Sequence, residues 1–434
     1  MSSKGKSDAA TGGGAGLVPK RRFPEFGEAE AWKPKRLSRF LSESRLAGSK
    51  GDVAKKITVK LWGGGVFAKN DAIQGSANTQ YFRRKSGQLI YSKLDFLNQA
   101  FGIIPEELDG YESTVDLPCF DVSAGVNDAF LLECVKRKEF YLRVGEAADG
   151  SRIAKRIHPE TFLASEIPLP SLLEQNKIAD CLNSEDALIA AQGRKVEALK
   201  AHKKGLMQQL FPQEGETQPR LRFPEFEGAG EWEETPLSEL FSSLDAGVSV
   251  NSGDRPAQEN EVGVLKTSAV TNGFFNLNEN KVVFDDFEIS RVREPVCGDT
   301  IIISRMNTPA LVGANAYVKT GLENIFLPDR LWAAKPRTGT CMPFVALILG
   351  SDEGRAALSK LAKGSSGSMK NISKSDVLAF LIKVPSPPEQ QRIADCLTSL
   401  DDLIAAESQK LATLKIHKKG LMQQLFPQVG EDDA

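Results

Sequence analysis

From Ile178 the apolar residues recur in steps of mostly four and three: Ile178, Leu182, Ile189, Val196, Leu199, Leu206 and Leu210, with Glu185, Gln192 and Lys203 as polar interruptions. The stripe returns at Ile393, Leu397, Leu400, Ile404, Leu411, Leu414, Leu421 and Leu425, broken at Glu407 and Lys418. Such a seam predicts a coiled-coil helix in each place. Pro170 and Pro385 precede the starts, and Pro212 and Pro427 close the ends, as helix boundaries require. A helix of about 38 residues makes a rod of roughly 57 Å. A narrow seam that long needs a partner, and each helix offers one to the other. Antiparallel pairing sets Gln192 opposite Glu407 near the centre. It also faces the acidic first halves, with Asp180, Glu185 and Asp186, toward the basic second halves, with Lys203-Lys204 and Lys418-Lys419.

The stretches between these helices read differently. Gly87-Gln88-Leu89-Ile90-Tyr91-Ser92-Lys93 and Gly298-Asp299-Thr300-Ile301-Ile302-Ile303-Ser304-Arg305 share one plan: a turn glycine, a β-run, a serine and a cation. Gly102 and Gly313 each open another apolar stretch about ten residues on. The interiors are strand-rich and share a fold despite their divergence.

That divergence is framed by repetition. Arg22-Phe23-Pro24-Glu25-Phe26, with Trp32 and Leu37-Ser38, returns as Arg222 to Phe226, Trp232 and Leu237-Ser238. About 30 of about 44 positions from Pro170 to Gln213 are identical to those from Pro385 to Gln428. The predicted class is therefore α+β: two β-rich domains in pseudo-twofold repeat, separated by two long antiparallel coiled-coil helices. The expected boundaries are a tail at 1–18, a first domain at 19–167, a central helix at 168–213, a second domain at 214–382, a C-terminal helix at 383–428 and a tail at 429–434.

Composition narrows the class. The chain has 434 residues, 41% apolar and 26% charged, ordinary for a soluble globular protein of two or three domains. No apolar run is long enough to span a bilayer, and residues 1–16 lack a signal core, so a cytoplasmic protein with reduced thiols is expected. A net charge of −2 argues mildly against a free-standing nucleic-acid binder, but the balance is uneven. Pro19 to Ile167 holds about 24 Lys and Arg against about 20 acids, while Pro219 to Ile382 holds about 17 against about 21. Basic clusters lie at Arg83-Arg84-Lys85, Lys136-Arg137-Lys138 and Arg152 to Arg156.

Catalytic patterns are not found. The sequence has no Asn-Pro-Pro-aromatic or Asp-Pro-Pro-aromatic tetrapeptide, no GxxxxGK[ST] loop and no glycine-rich turn suited to S-adenosylmethionine; Gly63-Gly64-Gly65 lacks that context. His158, His202 and His417 are too dispersed for a metal centre, so neither catalytic nor metal-binding residues are expected. The loop from Lys363 to Ile372, and its counterpart from Gly150 to Ile157, combine Gly, Ser and cations in a way that suits phosphate oxygens.

Taken together, the Arg-Phe-Pro-Glu-Phe opening, Pro387 to Ala394, the Leu-Met-Gln-Gln-Leu-Phe-Pro tails, Ser304-Arg305-Met306-Asn307-Thr308-Pro309 and Leu327-Pro328-Asp329-Arg330-Leu331 resemble the specificity subunits of type I restriction-modification systems. The resemblance covers nearly everything after Leu17; Leu172-Leu173, where the second copy has Pro387-Pro388, departs from it. It implies a non-catalytic subunit whose two target-recognition domains each read one half of a split double-stranded DNA site, so that a change in helix length would alter only the spacer. It also implies two modification subunits that methylate adenine and a translocating restriction subunit, with S-adenosylmethionine and ATP on those partners and no cofactor here. A protein–protein scaffold of the same architecture without DNA recognition is the alternative. The DNA contacts expected on the first domain are Arg83, Arg84, Lys85, Ser92, Lys93, Arg152, Lys155 and Arg156. On the second they are Ser304, Arg305, Asn307, Lys363, Ser365, Ser366, Ser368, Lys370 and Asn371. Arg and Asn suit base edges; Lys and Ser more often take phosphate.

Overall fold

The computed structural model describes residues 17–69, 76–146, 156–363 and 369–428. They form two compact units: one joins the residues up to Gly193 to those from Gln409 onward, and the other is Arg194–Ser408. The two seams form helices of 39 residues, Leu172–Leu210 and Pro387–Leu425, and each helix gives its first half to one unit and its second half to the other. The α+β reading with long helices holds.

Both helices start at equivalent positions, so the Leu172-Leu173 departure does not move the entry. Gln175 Nε2 donates to Pro170 O at 3.0 Å, and Gln390 Nε2 to Pro385 O at 2.9 Å. Each start is anchored by a buried ion pair. Arg22 Nε donates to Glu174 Oε1 at 2.8 Å and Nη1 to Ala29 O at 2.7 Å; Arg222 repeats this with Glu389 at 2.8 Å and Ala229 O at 2.6 Å. The repeated Arg, Trp and Glu-Gln are the fittings that hold helix to domain.

Within each unit the two helix segments run antiparallel. In the first, Ile178 and Leu182 share a core with Leu421, Met422, Leu425 and Phe426, and Lys418 Nζ meets Asp186 at 2.7 Å. In the second, Leu206, Met207 and Leu210 share a core with Ile393, Ala394 and Leu397, while Lys203 meets Asp401 and Lys195 meets Glu407. The polar seam positions are thus largely ion-pair sites. Each helix tail packs in the domain of the other copy.

The domain cores repeat as well. In the first unit, strand Cys119–Val122 lies between Leu41–Ser44 and Leu89–Tyr91, with Phe101–Ile103 beyond. In the second, Leu331–Pro336 lies between Phe241–Ala246 and Thr300–Ser304, with Asn315–Val318 beyond. Lys33–Arg36 pairs with Glu166–Leu169 as Glu233–Pro236 pairs with Leu381–Val384. One equivalence shifts. Ser92 N donates to Ala100 O and Ser304 N to Ala314 O, so the partner of Gly313 is Gln99 and not Gly102. Both sit in the left-handed region, at φ +79° and +54°; the conformation is kept although only one copy uses glycine for it.

All six cysteines are free. Burial pushes the Cys119 thiol up to about 12 and raises Cys134 further, leaving almost no thiolate near neutrality. Iodoacetamide at mildly alkaline pH should leave both unmodified in the folded chain and label both after denaturation, as peptide mass spectrometry would read. Among the described residues no helix is long and apolar enough to cross a membrane.

Candidate nucleic-acid interface

The candidate surface is built where the central strand of each domain ends. After Tyr91 and Ile303 the chain leaves the sheet through Ser92-Lys93 and Ser304-Arg305, and three backbone bonds fix the exit identically. Besides the serine bond, Lys93 N donates to Asp116 O at 2.9 Å and Arg305 N to Arg330 O at 3.0 Å. Ile157 N donates to Lys93 O at 3.1 Å and Ile372 N to Arg305 O at 2.9 Å. The segment after the Gly and Ser loop is therefore stitched to the cation in both units, across 64 residues in one and 67 in the other.

In the second unit this stitching gathers expected site residues. Met306–Asn307 pairs with Lys370–Asn371, with Asn307 opposite Lys370, and Lys363 exchanges two backbone bonds with Asn371. The Arg305 guanidinium lies 5.5 Å from the centre of the Trp332 ring. Its Nε is enclosed and meets no acceptor among the described residues, a condition that costs roughly 1–3 kcal/mol. Asn307 Nδ2 donates to Ser304 Oγ at 3.3 Å, and its Oδ1 accepts from Thr308 N at 2.8 Å. Lys363 is exposed, with Nζ 3.0 Å from Asp376. A stacked guanidinium, an amide and two lysines on or beside this two-stranded ribbon can donate to base edges and phosphates together.

In the first unit Arg83 is exposed on strand Gln80–Arg83, and Lys85 is exposed on the turn that follows, where its own N–H donates to Gln88 Oε1 at 2.9 Å. Arg156 is exposed near Asp116, at 3.4 Å. Arg152, Lys155, Ser365, Ser366 and Ser368 lie outside the described residues.

The sequence also points to Arg84, Ser92, Lys93 and Ser304, and the structure encloses all four, at 2%, 7%, 8% and 0% exposure. Arg84 donates to Ser113 Oγ at 2.8 Å, Ser44 O at 2.7 Å and Leu117 O at 3.2 Å. Its burial lowers its pKa, but a guanidinium stays charged at neutral pH, and here it ties three segments together. Ser92 Oγ donates to Asp95 at 3.0 Å. These side chains shape the exits rather than face a partner. The basic run at Lys136 is likewise engaged: Lys136 meets Glu133 at 2.7 Å, and Arg137 donates to Pro427 O at 2.9 Å.

One surface went unread in the sequence. The hairpin Ile57–Val59 with Val66–Ala68 exposes Trp62 and Phe67 among lysines. Its signal was present as Lys55-Lys56-Ile-Thr-Val-Lys60-Leu-Trp62, continuing to Lys69 without one acid. Among the described residues no group of three or more His, Cys, Asp or Glu could hold a metal ion.

A family model described as the type I restriction modification DNA specificity domain matches residues 229–415. The MjaVIII type I restriction enzyme specificity subunit of Methanocaldococcus jannaschii is 27% identical over 317 residues, covering 69% of this chain and 70% of its own length. The putative MjaX specificity subunit of the same organism is 26% identical over 310 residues, covering 68% and 66%. The crystal structure of the type I restriction-modification S subunit from M. genitalium superposes with a TM-score of 0.60 at 14% identity, covering 95% of this chain and 100% of that one, and shows a shared fold. The duplicated domains and exchanged helix tails thus go with a second half that matches the type I restriction modification DNA specificity domain, and about two thirds of the chain is similar to type I restriction enzyme specificity subunits.

Proposed function

We propose that each β-rich domain reads one half of a split double-stranded DNA site, and that the repeated frame carries two adenine-modifying subunits and a restriction subunit. The observation that carries this reading is the identical set of bonds at the two strand exits, beside which the outer sheets differ: Ala47–Lys50, Gln80–Arg83 and Glu112–Ser113 in the first unit, Met306–Asn307 with Lys370–Asn371 in the second. A common frame then presents two different surfaces, which suits an asymmetric target. The chain itself supplies recognition and assembly and no chemical step. S-adenosylmethionine and ATP belong to the partner subunits, and the complex works in the cytoplasm, where the DNA is. The helix pair, matched in both copies, is the ruler that sets the spacer.

Selection from random-sequence duplex, with and without the modification subunits, tests the proposal. The complex should enrich a motif in two separated parts, with affinity that falls steeply as salt rises. Arg305→Ala should weaken selected-site binding about tenfold or more and relax the sequence preference in one half only. Salt-insensitive behaviour with no enriched motif would overturn the reading in favour of a protein scaffold.

A further inference from the structure

From the hairpin that ends strand Ile57–Val59, we infer a second DNA-contacting element, a basic wing in which Trp62 packs on the nucleotides beside the first half-site. The inference rests on the DNA reading above and adds a contact residue to it.

Trp62 is the outlier of the first unit. It has φ +57°, a left-handed backbone that a bulky residue adopts only at a cost in stability. It is also 67% exposed, whereas Trp32, Trp232 and Trp332 are 1%, 4% and 5% exposed. Neither the backbone nor the burial of the indole accounts for tryptophan here; glycine would fit the turn better. The turn is rigid: Trp62 N donates to Asn98 O at 2.7 Å, Gly63 N to Gln99 O at 2.9 Å and Lys60 N to Gly65 O at 2.9 Å. These bonds tie it to the segment of Phe96, which is fully buried. A strained, fixed backbone thus holds an apolar ring out in water, which is how a preorganised contact is presented.

The surroundings select the partner. Lys55 to Lys69 carries four lysines and no acid, and Lys60 Nζ lies 4.2 Å from the centre of the exposed Phe67 ring. The wing also adjoins an expected contact, because Lys56 bridges to Glu112, which pairs with Arg83. Cations with projecting aromatics suit a polyanion that also offers apolar ring and sugar faces. The matching hairpin of the second unit, Gly263–Leu265 with Asn280–Val282, exposes Phe274, but its lysines Lys266 and Lys281 lie 3.5 and 3.4 Å from the carboxylates of Glu279 and Asp254, so the acid-free wing is a property of the first.

The test compares Trp62→Gly, Trp62→Phe and Arg305→Ala in the full chain assembled with its modification subunits, using labelled random-sequence duplex. Trp62→Gly should bind roughly tenfold more weakly, and Trp62→Phe within about twofold of the parent. In the chain alone Trp62→Gly should raise Tm by roughly 2–4 °C. Gain of stability with loss of affinity is the signature of a residue kept for contact. Unchanged affinity in Trp62→Gly, with Arg305→Ala still impaired, overturns the wing and leaves the DNA reading standing. Loss of assembly with the modification subunits at unchanged duplex affinity would assign the surface to a protein and also overturn it. Absence of duplex binding by the parent complex would overturn both.

Discussion

Glu174→Ala should destabilise the first unit by about 3–5 kcal/mol. The side chains of Arg22 and Glu174 are 7% and 2% exposed, and Trp32 Nε1 also donates to Glu174 Oε1 at 3.3 Å. Removing the carboxylate strands a buried guanidinium and an indole N–H at once. It also removes a negative charge from the first turn of a long helix, where the helix dipole favours one. Glu174→Gln, which keeps acceptors in place, should cost less. Glu389→Ala should produce a similar loss in the second unit, since Arg222 and Glu389 are 7% and 1% exposed. Denaturant titration measures the loss, and amide hydrogen exchange assigns it to a unit. Equal stability of Glu174→Ala and the parent would show that the pair is not what seats the helix.

Phe426→Ala should cost about 3–5 kcal/mol, and the loss should appear in the unit to which its own domain does not belong. Phe426 closes the second copy of the repeat, yet it is fully buried in the first unit. Its ring stacks on Phe130 at 5.3 Å and meets Trp32 edge-on at 5.9 Å, with the Arg137 guanidinium 5.3 Å from its centre. Phe211 makes the reciprocal set, 5.6 Å from Phe344 and 6.0 Å from Trp232. Hydrogen exchange on Phe426→Ala should therefore show protection lost around Trp32 and Phe130 and retained around Trp232 and Phe344. Loss around Trp232 instead would mean that each tail packs on its own domain.

The exchange of tails was half legible. A seam of alternating spacing announces a long helix and a partner, because periodicity is a local property of the chain. That the partner is antiparallel also followed, from charges that complement one another end to end, and Lys418 with Asp186 and Lys203 with Asp401 carry it out. The aromatic trios did not follow. Phe130 and Phe344 lie in the divergent interiors, so nothing repeated marks them as the seats of Phe426 and Phe211.

The candidate contacts divide along the same line. Residue type singled out Arg305, Asn307, Lys363 and Lys370, and the fold gathers them. The same criterion singled out Arg84 and Ser304, which the fold encloses. Arg83 ends its strand, and Arg84 turns inward before Lys85 opens the exposed turn, so a run of three cations still sends one member inside. Which one depends on what packs behind it, here Ser113, Ser44 and Leu117. Trp62 was overlooked for the converse reason: a tryptophan beside glycines reads as core or turn, and only its φ and exposure distinguish it.

By itself the sequence determined the doubling, the two helices and their antiparallel sense, because each is written in local spacing or in direct repetition. Only the tertiary structure decided which cations face outward, which domain receives each helix tail, and how Asn307 comes to lie opposite Lys370. These rest on contacts between residues far apart in the chain, where burial of neighbouring groups rather than residue type sets the outcome.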